Sequence, residues 1–316
     1  MIPLLSKIKV FVWRITRGQL IHLGYWKSRK ERLAIDNILS SEETVSFILS
    51  HPCSVARFGD GEFQMIEHGL KGGDETDFGV DSFQPFNSTL AARLYEVLLT
   101  PRDNLLVCIP YPMIRSGAFQ GYERIYFERE WLGRKKLVME AAARNPLLGD
   151  AAFTRFYMHR KDIDDYPRYI ASLKQIWDGK EVILVEGEKS RLGIGNDLFD
   201  NVKGLNRIIC PATNAFAVYD QILSFIDGLN LKDRLYLLAL GHSATVLAYD
   251  LNGRGFRAID LGHIDIEYEW FLMKAKEKCP IPDKYVNEVA EGRILGGSFT
   301  DRVYENQIIK KILIQT

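Results

Sequence analysis

Residues 234–260 read RLYLLALGHSATVLAYDLNGRGFRAID, and their rhythm decides the fold. RLYLLAL is an aliphatic run of strand length that stops at Gly241. SATVLAYDLNG has the size and composition of a helix, and FRAID after it is strand-like again. The same alternation appears upstream, where EVILVE (181–186) and RIIC (207–210) precede the helical NAFAVYDQILSFI (214–226). Short β-branched and aliphatic runs separated by helix-sized segments predict parallel strands joined by crossover helices. The fold class expected is therefore α/β, a Rossmann-like, mostly parallel sheet flanked by helices.

Earlier segments fit that scheme. SVARF (54–58) and LLVCIP (105–110) read as buried strands, and NSTLAARLYEVLLT (87–100) between them reads as a helix. Ser40 with Glu43 three residues later forms a capping box that starts a helix over LSSEETVSFILSH. The stretch 112–178 is mostly helical in pattern, broken at Gly121, Asn145-Pro146 and Pro167, and rich in aromatic and basic residues such as Tyr126, Arg155 and Arg160.

Composition bounds the function. Of 316 residues, 47% are hydrophobic, enough for a full core, and 41 basic residues balance 41 acidic ones. With no net field to gather nucleic acid, any charged ligand must be held by a local site. Cys53, Cys108, Cys210 and Cys279 lie far apart without metal-finger or CxxC spacing, which suits a reducing cytoplasm. No apolar run reaches spanning length, and no signal peptide is evident. At the N-terminus Ile8, Phe11, Val12 and Ile15 repeat at helical spacing among Lys7, Lys9, Arg14 and Arg17. Such a basic amphipathic helix suits peripheral contact with the inner face of a membrane, packing on its own domain, or a homodimer contact.

In parallel α/β sheets, ligands collect beyond the carboxyl ends of the strands. Here SVARF runs into GDGE, VILVE into GEKSRLGIGNDLF, RIIC into PATNAF, YLLAL into GHSAT, and FRAID into LGHIDIEYEW. Glycine-rich turns followed by helix N-termini offer backbone N–H groups to phosphate. The candidates for gripping a phosphate-bearing cofactor or substrate there are Arg57, Gly59, Gly61, Arg191, Gly195, Asn196, Asn214, Gly241, His242, Ser243 and Thr245. Asp60 and Glu62, two positions apart beside Arg57, either cap the next helix or hold a hard cation through oxygen ligands. Asp265 and Glu267 share one face only if their segment is extended, and splay apart if it is helical. One of them is a candidate general base; the alternative is an acidic helix start.

Taken in order, VARFGDGE, ILVEGEKSRLGIGNDLF, IICPATNAF and LALGHSATVLAYDLNGRGFRAIDLGHIDIEYEW resemble the GT-D-type glycosyltransferases. This bacterial family was first described as a domain of unknown function and includes a glucosyltransferase acting on serine-rich repeat adhesins. The resemblance covers about residues 36–275. It implies the GT-D-type glycosyltransferase fold, a UDP-sugar donor, and Mn2+ or Mg2+ bound through an Asp-x-Glu motif. That motif falls on Asp60 and Glu62, although Asp265-Ile266-Glu267 also fits it.

The expected function is metal-dependent transfer of a hexose, glucose or galactose, from a UDP-sugar to a growing cell-surface glycan or a glycoprotein glycan. In that reading Asp60 and Glu62 hold the metal, Asp265 or Glu267 activates the acceptor hydroxyl, and the 112–160 region meets the acceptor. The expected organisation is an N-terminal segment over 1–35, a catalytic domain over 36–279 and a C-terminal extension over 280–316. The alternatives are an NAD-linked oxidoreductase, which the missing GxGxxG disfavours, and a UDP-sugar-binding protein without turnover.

Overall fold

A computed structural model describes residues 17–74, 78, 83–293 and 300–314 of the protein. The amphipathic stretch around 8–15 lies outside the described residues. Helices α1 (17–27), α2 (Arg29–Leu33) and α3 (Ser41–Ser50) precede β1 (Ser54–Arg57). Next come α4 (Asp60–Leu70), α5 (Ser88–Leu99), β2 (Leu105–Ile109), α6 (Tyr111–Ile114), α7 (Gly121–Arg144) and β3 (Leu148–Asp150). The second half runs α8 (Tyr166–Lys174), β4 (Glu181–Gly187), β5 (Gly204–Cys210), α9 (Tyr219–Leu229), β6 (Leu235–Ala239), α10 (His242–Gly253), β7 (Arg257–Asp260), α11 (Ile264–Leu272), α12 (Arg302–Gln307) and β8 (Ile308–Lys311).

The strands form one sheet in the order β3-β2-β1-β7-β6-β4-β5-β8, and every pairing is parallel. Strand periodicity explains how the sheet is buried on both faces. Ala56, Ile183, Val185, Tyr236 and Leu238 enter one core with residues of α4, α5, α7, α9 and α10. Their neighbours Val55, Val182, Leu184, Leu235 and Leu237 enter the other, with residues of α3, α8 and α11. Successive residues of each strand thus serve opposite helix layers, which is why these strands read as unbroken apolar runs.

The six strands expected from sequence are present, and β3 and β8 join them at the two edges. The capping box is present: Glu43 N–H donates to Ser40 Oγ and Ser40 N–H donates to the Glu43 carboxylate. Helix α7 stops at Arg144, just before Asn145-Pro146. Pro167 starts a helix instead of breaking one, because it falls in the first turn of α8, where a missing N–H costs nothing. The 280–316 segment adds β8 to the sheet edge and sends Lys284 into the interior. Among the described residues no helix is long and apolar enough to cross a membrane.

Candidate active site at the carboxyl ends of β1, β6 and β7

The chain leaves β1 towards β2 on one side, while β7 arrives on the other after β6 and α10. A crevice at the carboxyl ends of β1 and β7 follows from that reversal. Helices α4 and α10 both begin there. At Gly241 the φ of +53° and the nearby Phe83 ring, which an added Cβ would meet at 2.5 Å, together require glycine. Gly61 serves close approach: a Cβ there would lie 2.6 Å from His242 Nε2, so the first turn of α4 packs directly on the His242 ring. Gly59 N–H donates to Glu62 Oε2 at 2.7 Å, closing the α4 cap.

Charge in the crevice is arranged around Arg57 and Asp260. Arg57 Nε donates to the Ala151 carbonyl at 2.9 Å, and its Nη1 stands 3.7 Å from Asp260 Oδ1. Thr245 Oγ1 donates to the Arg57 carbonyl at 2.7 Å, so Thr245 fixes the strand end and has its hydroxyl proton already committed. Asp260 is 5% exposed and accepts from Gly262 N–H at 2.9 Å. Burial pushes its carboxyl up to about 7, with Arg57 opposing the rise and Glu62 adding to it. Two polar atoms at the start of α10 are buried without a hydrogen-bond partner, His242 Nδ1 and Ser243 Oγ. Unpaired groups of this kind are costly unless a ligand satisfies them.

Asp60 and Glu62 diverge, as residues two apart on a helix must. Asp60 is exposed and acts on Tyr126 and Arg155, raising the Tyr126 hydroxyl after burial has done most of the work. Glu62 has Oε2 in the cap and Oε1 on the His242 side, 4.0 Å from Nδ1. Among the described residues no three His, Cys, Asp or Glu gather closely enough to hold a metal by themselves. Asp60 and the Oε1 of Glu62 do offer two hard oxygen ligands, the number a divalent ion commonly takes from protein when substrate phosphates supply others. The chemistry of these two carboxylates suits a hard cation, but because they diverge, each would reach it only with other ligands between them.

The acids of α11 are placed differently. Their segment is helical, so Asp265 and Glu267 splay, and each is only 2% exposed. Glu267 Oε2 accepts from Tyr157 N–H and Met158 N–H, both at 3.0 Å. Asp265 accepts from Gly193 N–H at 2.9 Å, Asn196 at 2.9 Å and Lys284 Nζ at 2.7 Å. Burial raises both carboxyls, and Lys284 and Arg155 respectively oppose it. These contacts tie loops to α11. Asn196 thereby bridges Asp265 and Glu269, while Arg191, at positive φ, donates to the Asp283 carbonyl and Gly195 sits exposed at φ +82°. Asn214, also at positive φ, accepts from Gln84 at 2.8 Å. The structure thus gathers Arg57, Gly59, Asp60, Gly61, Glu62, Gly241, His242, Ser243 and Thr245 around one crevice, and gives Arg191, Asn196 and Asp265 to a neighbouring loop anchor.

Sequence reasoning left out Asp260 and Glu288. Asp260 is the last residue of FRAID and had a usable signal, a carboxylate at a strand end. Glu288 had none, because it comes from the C-terminal segment to meet Arg155 and His263. Burial works against the charge on Arg155, but Glu288, Glu267 and Asp60 overcome it and raise its pKa.

A parallel sheet with acids, a guanidinium and two helix N-termini at its switch point places the chain in the Rossmann-like α/β class, whose ligands collect at that end of the sheet. Comparison narrows the class. Residues 55–289 match the family described as glycosyltransferase GT-D fold. The chain is 33% identical over 282 residues to the probable glycosyl transferase Gly of Streptococcus gordonii, covering 87% of this chain and 39% of that protein. It is 30% identical over 283 residues to glycosyltransferase GlyD of Streptococcus pneumoniae serotype 4, covering 89% and 33%. The chain therefore spans well under half the length of these two relatives. Among solved structures, a domain of unknown function 1792 with a distinct glycosyltransferase fold superposes with a TM-score of 0.79 at 35% identity, covering 92% of this chain and 99% of that one. A glycosyltransferase of the same domain type from Streptococcus sanguinis superposes at 0.71 and 33% identity, covering 87% and 99%. The chain belongs to the GT-D glycosyltransferase family.

Proposed function

We propose that this glycosyltransferase moves a hexose, glucose or galactose, from a UDP-sugar to a growing cell-surface glycan or protein-linked glycan. The observation that carries the donor assignment is the start of α10. Buried, unpartnered Ser243 Oγ and His242 Nδ1 sit at a helix N-terminus beside Arg57, the arrangement that a diphosphate completes. Asp60 and Glu62 would hold Mn2+ or Mg2+; such a cation, when bound, neutralises a diphosphate leaving group.

The other steps belong to the chain's own residues. Arg57, locked on the Ala151 carbonyl, presents fixed positive charge at the strand end. Asp260 is the favoured proton acceptor for the acceptor hydroxyl, ahead of Asp265 and Glu267. Its raised carboxyl is matched to neutral pH, and it ends β7 beside Arg57 and Glu62, whereas the other two carboxylates are fastened to the 157–158 backbone and the 193–196 loop. The α11 acids then position the loop at 193–196 and the 157–158 backbone. A screen of UDP-sugars by UDP release, with and without Mn2+, tests the reading. Release from a UDP-hexose that requires the cation and is lost in Asp60→Ala is expected; cation-independent release equal in both proteins would overturn the site.

A further inference from the structure

Two strands away from the crevice, a cavity of about 470 Å3 opens between α2, the start of α3 and the segment after β2. Its volume is in the range that holds a small molecule. Arg32, 8% exposed, lines it and stacks on the Tyr25 ring with 3.5 Å between guanidinium carbon and ring centre. Two of its nitrogens donate to the carbonyls of Ile114 (2.8 Å) and Tyr25 (3.1 Å), and its Nε is buried with no partner. Arg115 lines the same cavity, and its Nη1 reaches the carbonyls of Arg32 and Ile114 only at 3.4 Å each. Burial lowers the Arg32 pKa, and Arg115 lowers it further despite Tyr25.

Among the described residues, neither arginine has a carboxylate within 4.0 Å. Asp162, also on the wall, is taken up by Arg160, which it meets with both oxygens at 2.8 Å. Glu42 is an exposed acid at the rim, in the first turn of α3. The N-terminus of that ten-residue helix contributes Ser40 and Ser41 to the wall. Glu128, which accepts from the wall residue Ser116, offsets part of the Arg32 charge from beyond ion-pair distance, and the Arg32 Nη atoms are held by carbonyls, so Arg115 is the fork left to meet an oxyanion, with Arg32 adding positive charge behind it.

The cavity opens on the same edge of the sheet as the crevice. Asp150, the last residue of β3, accepts from Ser41 Oγ and from Tyr111 N–H (3.0 Å), and the next residue, Ala151, supplies the carbonyl that holds Arg57. We infer that the cavity is an acceptor-side subsite for a saccharide unit bearing a carboxylate or phosphate group. The binding claim stands apart from the donor assignment, and only its acceptor role rests on that reading.

Thermal melts of the full chain at constant ionic strength, titrated with glucuronate, inorganic phosphate or uncharged glucose, test it, with UDP plus Mn2+ as a control for the donor site. Glucuronate or phosphate should raise Tm and glucose should not, and whichever anion acts at lower concentration identifies the group recognised. In Arg115→Gln the anion midpoint should move at least tenfold while the UDP response stays as in wild type. Equal responses to glucose and glucuronate, or an unchanged anion midpoint in Arg115→Gln, would overturn the subsite. Should that variant fail to fold, exposed Glu42→Gln serves instead: removing the rim acid should tighten anion binding by about threefold, as expected for a screened surface charge, and no change would count against the site. A lost UDP response with an intact anion response would remove the donor reading and leave this one standing.

Discussion

Replacing Asp260 by Asn separates the energetic cost of this carboxyl from its proposed use. In the unfolded chain it titrates near 3.8, and in the folded protein near 7. Between those values the folded state keeps a proton that the unfolded state has lost, so stability falls as pH rises and the full penalty stands above about 7. Roughly three pKa units at about 1.4 kcal/mol each give a penalty on the order of 4 kcal/mol. Asn does not titrate and resembles the protonated acid in shape. Its stability relative to wild type should be near zero at about pH 4 and grow towards that figure by about pH 8. At about 2 °C per kcal/mol for a chain of this size, the gap in Tm would reach on the order of 8 °C. Scanning calorimetry of both proteins from pH 4 to 8, without divalent cation or donor, measures it. The same variant should lose about 100-fold or more in sugar transfer, because an amide cannot take the proton. Melting temperatures that run parallel across the range would refute the burial argument, and undiminished transfer would refute the assignment of the base.

Gly61→Ala should fold but push the His242 ring aside, costing about 1–3 kcal/mol by chemical denaturation and raising the donor KM more than it lowers kcat. Asp60→Asn should keep a UDP-induced Tm shift while losing its enhancement by Mn2+; an enhancement equal to wild type would place the cation elsewhere. Lys284→Met leaves Asp265 buried and without its cation, so a loss of about 3–5 kcal/mol is expected in urea unfolding. The Glu288 carboxyl is held well below its ordinary range because Arg155, His263 and Lys278 outweigh its burial. Its stabilisation is therefore present above the unfolded value of 4.5 and is lost as pH falls below it. Glu288→Gln should be less stable than wild type at neutral pH, and the two should converge on acidification.

The central strands were legible because each is buried on both faces and so reads as a continuous apolar run. β3 was not, since three residues, LGD, carry no periodicity, and their pairing depends on β2 lying alongside. β8 (IIKK) is an edge strand whose exposed lysines resemble an ordinary tail. In the site, the residues recovered from sequence were those that announce themselves locally: glycines before helix starts, and acids directly after β1. The fate of Asp265 and Glu267 was set by partners far away in the chain, Tyr157, Gly193 and Lys284, and no local pattern records such contacts.

Pairing of β1 with β7 joins Val55 to Ile259, a sequence separation of about 200 residues. That junction is the seam between two blocks, β1 to β3 and β4 to β7, whose other pairings are mostly shorter in range. Closing it carries the largest loop entropy in the sheet, so it is expected to form late in folding and to part early in unfolding. Arg57 and Asp260 end the two strands on either side of it. A ligand that touched both would clasp that seam, and hydrogen exchange at Val55 and Ile259 should then slow on nucleotide binding more than exchange at the β4–β5 pair.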